Sequence, residues 1–183
     1  NQNPLGPPPA VLAALRATPA AELFRYPDPQ GLALRRVLAE RLGVGLDQVV
    51  LGNGSHELLM LLAQCFAGPG DEVVFSEFAI GTAAVGATQR RIAALPRSGS
   101  SPRGHDLRAL AAAVVAQTRL VYLANPNNPT GTWFARAALR EFLDSVERNI
   151  PVVVDEAYHE FVDDPEVGSA VELLSDYPNL IVT

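Results

Sequence analysis

Two polar segments that directly follow apolar runs carry the side chains best suited to chemistry. The first is NPNNPTG at positions 125–131, in which two prolines stiffen a turn and three asparagines offer amides to a ligand. The second is VVVDEAY at positions 152–158, in which three valines precede two carboxylates. An ionised Asp155 at the tip of a buried strand is unfavourable without a partner, so we expect a cationic group beside it.

The residues alone leave three candidates for that cation. An apolar strand ending in Asp-Glu resembles the second nucleotide motif of P-loop ATPases, which would bring magnesium, but the chain has no lysine for a phosphate loop. A metal held by Asp155, His159 and Glu160 would have helical spacing but no supporting cluster of ligands. The third candidate is a protonated ring nitrogen of an organic cofactor.

Two further segments could contribute to a binding site. In GNGSHE at positions 52–57, the glycines allow close approach of a ligand, Ser55 is a candidate N-cap, and the first helical amides could hold a phosphate. An ordinary capped turn would have the same composition. Phe78 follows an apolar run and could cover a flat ring, although a phenylalanine there is also typical of a core.

Short apolar runs alternate with helical stretches from residue 48 onward. Such runs, apolar on both faces, predict an α/β fold with a mostly parallel sheet that is covered on both sides. The predicted strands are 49–51, 73–75, 92–95, 120–124, 152–154 and 180–182. The predicted helices are 10–17, 34–42 with Gly43 as the stop, 55–66, 79–87, 106–117, 135–148 and 169–175. Residues 1–9 are rich in proline and predict an extended arm.

Composition narrows the classes of partner and compartment. The 183 residues include 14 basic and 20 acidic side chains, for a net charge of -6, without a basic cluster, which argues against nucleic acid and anionic membranes as partners. No apolar stretch approaches the roughly 20 residues that span a bilayer. The single cysteine, Cys65, is predicted to be a small buried hydrophobe, which fits a reducing cytoplasm. All 14 basic residues are arginine, so the chain has no amine side chain.

The four segments, in this order, resemble the fold type I pyridoxal-phosphate aminotransferases. NPLG at positions 3–6 and RYPD at positions 25–28 are most similar to the histidinol-phosphate branch of that superfamily. The likeness covers roughly the first half of such an enzyme, and the chain stops within an apolar run, so we interpret it as a piece of a longer protein. The resemblance implies a three-layer α/β fold. Residues 1–45 would form the N-terminal arm and a small-domain segment, and residues 46–183 the first part of the cofactor-binding large domain.

The resemblance also implies pyridoxal 5'-phosphate as the cofactor and assigns residues to its ring. Asp155 would pair with the pyridine nitrogen and keep it protonated, so that the ring can accept electrons. Asn128 and Tyr158 would bond the phenolic oxygen of the ring. Phe78 stands where the family stacks an aromatic side chain, often tyrosine, on the cofactor.

Other assignments concern the phosphate, the substrate and the neighbouring subunit. The phosphate-holding turn would be Gly54, Ser55 and His56, although the family often has aspartate where this chain has His56. Tyr26 would reach the cofactor phosphate of a neighbouring subunit, which implies a homodimer. The arm that closes over the substrate would include Asn3, Leu5 and Gly6. The lysine that forms the Schiff base would lie beyond Thr183, so we expect no catalytic residue within this chain.

The resulting expectation is a cytoplasmic enzyme of histidine biosynthesis. It would transfer an amino group from histidinol phosphate to 2-oxoglutarate, giving imidazole acetol phosphate and glutamate. Within the superfamily, the alternative is a decarboxylase of a phosphorylated amino acid. From another class, the alternative is a catalytically inert module that has lost the lysine.

Overall fold

The computed structural model describes residues 5–79, residues 104–183 and the backbone of the strand at 88–92. The chain divides into two compact units, Asn1–Val50 and Leu51–Thr183. Asn3 and nearly all of the predicted helix 79–87 lie outside the described residues. The assignment of residues 1–45 and 46–183 to two domains of a larger enzyme stays a prediction.

The first unit contains two helices, α1 (Pro9–Ala17) and α2 (Leu32–Leu42), each followed by a short 3-10 turn, Ala20–Glu22 and Leu46–Gln48. Both predicted helices are confirmed, and α2 ends as predicted at Gly43, whose φ of +68° favours glycine. The predicted strand 49–51 is wrong. Val49 is buried but Val50 is 72% exposed, and among the described strands none pairs with this run.

The described residues of the second unit form a five-stranded sheet in which every pairing is parallel. This confirms the predicted α/β fold, and the strand order is β2-β1-β3-β4-β5. The strands are β1 (Glu72–Ser76), β2 (Thr88–Ile92), β3 (Thr118–Ala124), β4 (Val152–Asp155) and β5 (Leu180–Val182). Of the strand predicted over 92–95, Ile92 lies in β2, and residues 93–95 lie outside the described residues.

Helices cover both faces of this sheet, as the three-layer prediction requires. Side chains alternate between faces along a strand, so Val73, Tyr122 and Val153 pack with α3 (Ser55–Phe66). Val74, Val121, Leu123, Val152 and Val154 face the other way and pack with α4 (Leu107–Ala113) and α5 (Arg136–Ser145). The core therefore consists of two apolar layers separated by the sheet.

Three predicted helices differ from the observed elements in length or type. The stretch 106–117 is helical only to Ala113, because Thr118 Oγ1 accepts the Val115 N–H at 3.0 Å and turns the chain into β3. The stretch 135–148 is helical only over α5. The stretch 169–175 is a 3-10 turn at Ala170–Leu173.

The α3 helix is less buried than its composition predicts. Only Leu59 and Ala63 are fully buried, because a single face of the helix contacts the sheet. Leu61, Phe66 and Cys65 are exposed, so the prediction that Cys65 is a buried hydrophobe is wrong for this chain. Across the described part of the chain, no helix combines the length and the apolar character that crossing a bilayer requires.

Candidate active site

The carboxyl edge of the sheet brings the predicted polar segments together. Because all strands are parallel, their carboxyl ends lie at one edge, and Ala124 at the end of β3 is paired with Asp155 at the end of β4. The NPNNPTG turn begins at the residue after Ala124. The α3 helix is joined to β1 only by residues 67–71, so it runs antiparallel to β1 and its first turn points toward the same edge.

Asp155 presents a half-buried carboxylate at this edge with both oxygens hydrogen-bonded. Oδ1 accepts the Ala157 N–H at 3.0 Å, and Oδ2 accepts the Tyr122 hydroxyl at 2.9 Å. Within the described residues Asp155 forms no ion pair. Both donors are neutral, so its negative charge is oriented but not neutralised, which is the electrostatic condition that a cationic ligand requires.

Sequence reasoning missed Tyr122, which the alternating pattern of β3 places among apolar neighbours. The side chain is only 3% exposed, and a buried tyrosine hydroxyl generally needs a partner. Burial is the main cause that raises the pKa of Tyr122 well above its usual value, and the charge of Asp155 and the hydrogen bond act in the same direction. The phenol therefore stays protonated and remains a donor.

The metal alternative for Asp155 has no support at this edge. In the regions that the structure describes, no group of three or more His, Cys, Asp or Glu side chains could hold a metal ion. Glu156, the next residue, is engaged elsewhere: its carboxylate accepts Ser169 Oγ–H at 2.7 Å and Ala170 N–H at 2.6 Å. Burial raises the pKa of Glu156, and these two bonds oppose that shift.

Asn128 and Tyr158, which the resemblance assigns to one ring oxygen, lie next to each other. The distance from Asn128 Nδ2 to Tyr158 Oη is 3.4 Å, a long hydrogen bond. They come from different connections, one after β3 and the other after β4. Two donors from adjacent strand ends thus converge at the edge that carries Asp155.

The other two asparagines of the turn hold the loop itself. Asn125 is buried and bonds Phe134 twice, since its Nδ2 donates to the carbonyl oxygen and its Oδ1 accepts the N–H, each at 3.0 Å. Asn127 Nδ2 donates to Thr130 Oγ1 at 2.7 Å and to the Phe78 carbonyl at 3.3 Å. The latter bond ties the loop after β3 to the loop after β1.

Phe78 lies in that loop after β1 and is 38% exposed. The alternative that it belongs to the core is therefore wrong. A ring that is partly accessible at the edge of the site fits an aromatic side chain that covers a planar ligand, and this role stays a prediction.

Gly54, which directly precedes α3, has open space around its backbone. Gly54 has φ +82°, and an added Cβ would meet no atom within 4 Å, so conformation rather than crowding favours glycine here. The prediction that Ser55 caps α3 is wrong: Gly54 is the N-cap, Ser55 is the first helical residue, and no side chain caps the helix. His56 is exposed.

Glu57 supports the glycine turn in place of a capping serine. Its Oε2 accepts the Asn53 N–H at 2.6 Å, and Asn53 Nδ2 donates to both carboxylate oxygens. These bonds lower the pKa of Glu57, with the backbone bond as the largest cause. The carboxylate thus fixes the entry of the chain into α3 without occupying the amides of Ser55 and His56.

A second residue that sequence reasoning missed, His105, joins the last residues of β1 and β3. Nδ1 forms a short hydrogen bond with Ser76 Oγ, and Nε2 lies 2.9 Å from the carbonyl oxygen and 3.2 Å from the nitrogen of Ala124. The last β1–β3 register pair is Phe75 with Tyr122, so the imidazole adds contacts between the two strands beyond that pair. Burial lowers the pKa of His105 to about 4.

Because His105 is buried, we expect the folded protein to lose stability at acidic pH. The pKa of His105 is about 4 in the folded chain against 6.5 for an ordinary histidine, so between these values the unfolded chain binds more protons. The contribution of His105 to the free energy of unfolding is therefore fully present above pH 6.5. As the pH falls toward 4, this contribution decreases by about 3 kcal/mol. Urea unfolding of the full-length protein at pH 7 and pH 4 should show that His105→Asn removes this part of the decline. The control His56→Asn, at an exposed site, should retain it; a decline unchanged in His105→Asn would contradict the prediction.

The remaining predicted residues belong to the first unit or lie outside the described residues. Leu5 and Tyr26 are exposed in the first unit, Gly6 is exposed with φ +72°, and Asn3 lies outside the described residues. Their assignments to the substrate and to a neighbouring subunit stay predictions.

Comparison with known proteins defines the class to which this fold and site belong. The family model for aminotransferase class I and II matches residues 1–183, and the chain belongs to that family. It is 48% identical to histidinol-phosphate aminotransferase 2 of Pseudomonas fluorescens Pf-5 over 188 residues, covering 100% of this chain and 49% of the relative. The corresponding protein of Pseudomonas aeruginosa PAO1 is also 48% identical, with the same coverage.

A solved structure is also similar to this chain. The chain matches histidinol-phosphate aminotransferase from Sinorhizobium meliloti in complex with pyridoxal-5'-phosphate with a TM-score of 0.86 and 31% identity, over 97% of this chain and 48% of that one. The chain thus spans about half the length of the curated relatives it matches.

Proposed function

We propose that these residues form part of a pyridoxal-phosphate-dependent aminotransferase that takes histidinol phosphate as amino donor and 2-oxoglutarate as acceptor. The observation that carries the proposal is the Asp155 carboxylate at the carboxyl edge of a parallel sheet, oriented by two neutral donors and, among the described residues, without an ion pair. The names of the relatives at 48% identity support the choice of substrate.

The donor set fits pyridoxal phosphate. Asp155 offers an anion for a protonated ring nitrogen, and Asn128 and Tyr158 offer two polar groups for a ring oxygen. The turn at Gly54 offers backbone amides at the positive end of α3 for a phosphate. When bound, this cofactor supplies an electron-accepting ring that stabilises the charge left as a substrate loses its α-proton.

The residues of this chain would bind and orient rather than move protons. Asp155 would hold a proton on the ring nitrogen by favouring the charged form of the ring. Asn128 and Tyr158 would fix the ring in its plane, and Phe78 would cover one face and exclude water. The chain has no lysine, so the amine that this chemistry needs would come from a part of the protein outside these residues.

Assembly and location complete the proposal. Tyr26 would serve the phosphate site of a second copy, so the active form would be a homodimer, and residues 1–45 and 46–183 would belong to two domains of each copy. The substrates would be small molecules, without nucleic acid or membrane as partners. The net charge of -6 argues against nucleic acid and anionic membranes as partners, and the single cysteine is compatible with a reducing cytoplasm.

The full-length gene product tests this function. Purified protein with histidinol phosphate and 2-oxoglutarate should form glutamate in an amount that depends on added pyridoxal phosphate, without release of carbon dioxide. Carbon dioxide release from a phosphorylated amino acid would favour the decarboxylase alternative. Failure to bind pyridoxal phosphate would favour the inert module.

A further inference from the structure

We propose that Tyr122 is a positioning residue that locks the Asp155 carboxylate in the orientation needed to meet a protonated ring nitrogen. The proposal rests on the proposed function and deepens it, since Asp155 is the group through which that function is argued.

The contact joins two neighbouring strands inside the sheet. Tyr122 lies on β3, which has strands on both sides, and its register partner on β4 is Val153, two residues before Asp155. The Tyr122 side chain is buried with the α3-facing layer and reaches Asp155 Oδ2 at 2.9 Å. A donor fixed in a central strand of a packed core has little freedom to move.

Two restraints of different origin then determine the plane of the carboxylate. The Ala157 N–H, from the connection that follows β4, holds Oδ1 at 3.0 Å, whereas the Tyr122 hydroxyl holds Oδ2 from another strand. With only one of them the carboxylate could rotate about its Cβ–Cγ bond. Among the described residues, removal of the Tyr122 hydroxyl would therefore leave the Asp155 carboxylate bonded only to the loop that follows β4.

The chemistry of the donor matters as much as its position. An arginine at this place would neutralise Asp155 and compete with an incoming cation. A phenol donates one hydrogen bond and carries no charge, so it orients the carboxylate and leaves the charge available. The raised pKa of the buried Tyr122 keeps the proton on the phenol, and Asp155 remains the acceptor.

A purely structural role is the alternative, and the chain offers a matched control for it. Tyr177 is 2% exposed, and its hydroxyl donates to Asp144 Oδ1 at 2.8 Å. It packs with the layer that faces α4 and α5, on the other side of the sheet from Tyr122. Tyr122→Phe and Tyr177→Phe thus each delete a buried tyrosine hydroxyl that donates to an aspartate, and Asp144, unlike Asp155 in the described part of the chain, also pairs with Arg148 at 3.7 Å.

The experiment compares both variants with the parent in the full-length protein. Apoprotein is titrated with pyridoxal phosphate by absorbance to obtain the dissociation constant, and urea unfolding of the apoprotein gives the loss of stability. Tyr122→Phe should raise the dissociation constant by about tenfold, because it removes one charge-assisted contact. It should also change the absorbance spectrum of the bound cofactor. Tyr177→Phe should stay within about twofold of the parent and show a similar shift of the urea midpoint.

A second measurement keeps the test valid if Tyr122→Phe is strongly destabilised. In an Asp155→Asn background, Tyr122→Phe should change the dissociation constant by no more than about twofold, because the pair is then already broken. The inference is overturned if Tyr122→Phe binds like the parent, if both tyrosine variants weaken binding equally, or if its effect is the same with and without Asp155. If the parent itself binds no pyridoxal phosphate, the proposed function fails and this inference fails with it.

Discussion

Asp155→Asn in the full-length protein should lower both the affinity for pyridoxal phosphate and the rate of amino transfer by at least about a hundredfold. Asparagine keeps the size of the side chain and an oxygen for the Ala157 N–H, but it removes the negative charge. Breaking a buried ion pair from one side costs about 3–5 kcal/mol, and each 1.4 kcal/mol is about tenfold in affinity. Asp155 is half-buried, so we expect the lower end of that range.

The adjacent carboxylate provides the control for this prediction. Glu156→Gln removes a charge one residue away. The Glu156 side chain, however, is hydrogen-bonded to Ser169 and Ala170, in the segment that connects β4 to β5. The variant should reduce stability and leave the cofactor dissociation constant within about threefold of the parent. Equal effects of the two variants on cofactor binding, measured by the same absorbance titration, would mean that local folding rather than charge explains the result.

Asn125→Ala should cause the largest loss of stability among the residues of the asparagine turn. The side chain satisfies the N–H and the carbonyl of Phe134 in a buried setting, and alanine would leave both groups without a partner. An unsatisfied buried polar group costs about 1–3 kcal/mol, so the loss of both partners should lower the free energy of unfolding by about 2–6 kcal/mol. Urea unfolding of the full-length protein measures this change.

An exposed asparagine serves as the comparison. Asn53→Ala removes side-chain bonds to Glu57 at the surface, where water replaces them, and should cost less than about 1 kcal/mol. A loss in Asn125→Ala no greater than in Asn53→Ala would contradict the assigned role. The loop that Asn125 closes also carries Asn128, so Asn125→Ala should weaken cofactor binding in addition.

The parallel sheet was predictable because its strands are short apolar runs bounded by turn residues. Strands β1, β3, β4 and β5 follow those runs within two residues at each end, and their parallel pairing brings Asp155 to the edge that the valine-rich run predicts. The prediction of a strand over 49–51 was wrong because an apolar pattern does not show whether a neighbouring strand exists to pair with it. The predicted end of α4 was wrong because the Thr118 hydroxyl accepts the Val115 N–H, which a longer helix would have bonded to its own backbone.

The candidate site was only partly visible in the sequence. The adjacency of Asn128 and Tyr158 and the carboxylate of Asp155 follow from strand ends and motifs. Tyr122 and His105 were missed because each acts across strands, and an isolated tyrosine in an apolar run or a histidine before a helix carries no local signal of its partner. The error at Ser55 has a related cause: Glu57 supports the turn from within the helix and makes a serine cap unnecessary.

Nitrogen-15 NMR of ring-labelled pyridoxal phosphate bound to the full-length protein tests the central electrostatic claim most directly. At neutral pH the ring nitrogen should be protonated in the parent, and Asp155→Asn should shift its resonance toward that of the unprotonated ring. A ring nitrogen that is unprotonated in the parent, or protonated to the same extent in both proteins, would contradict the role assigned to the carboxylate at the end of β4.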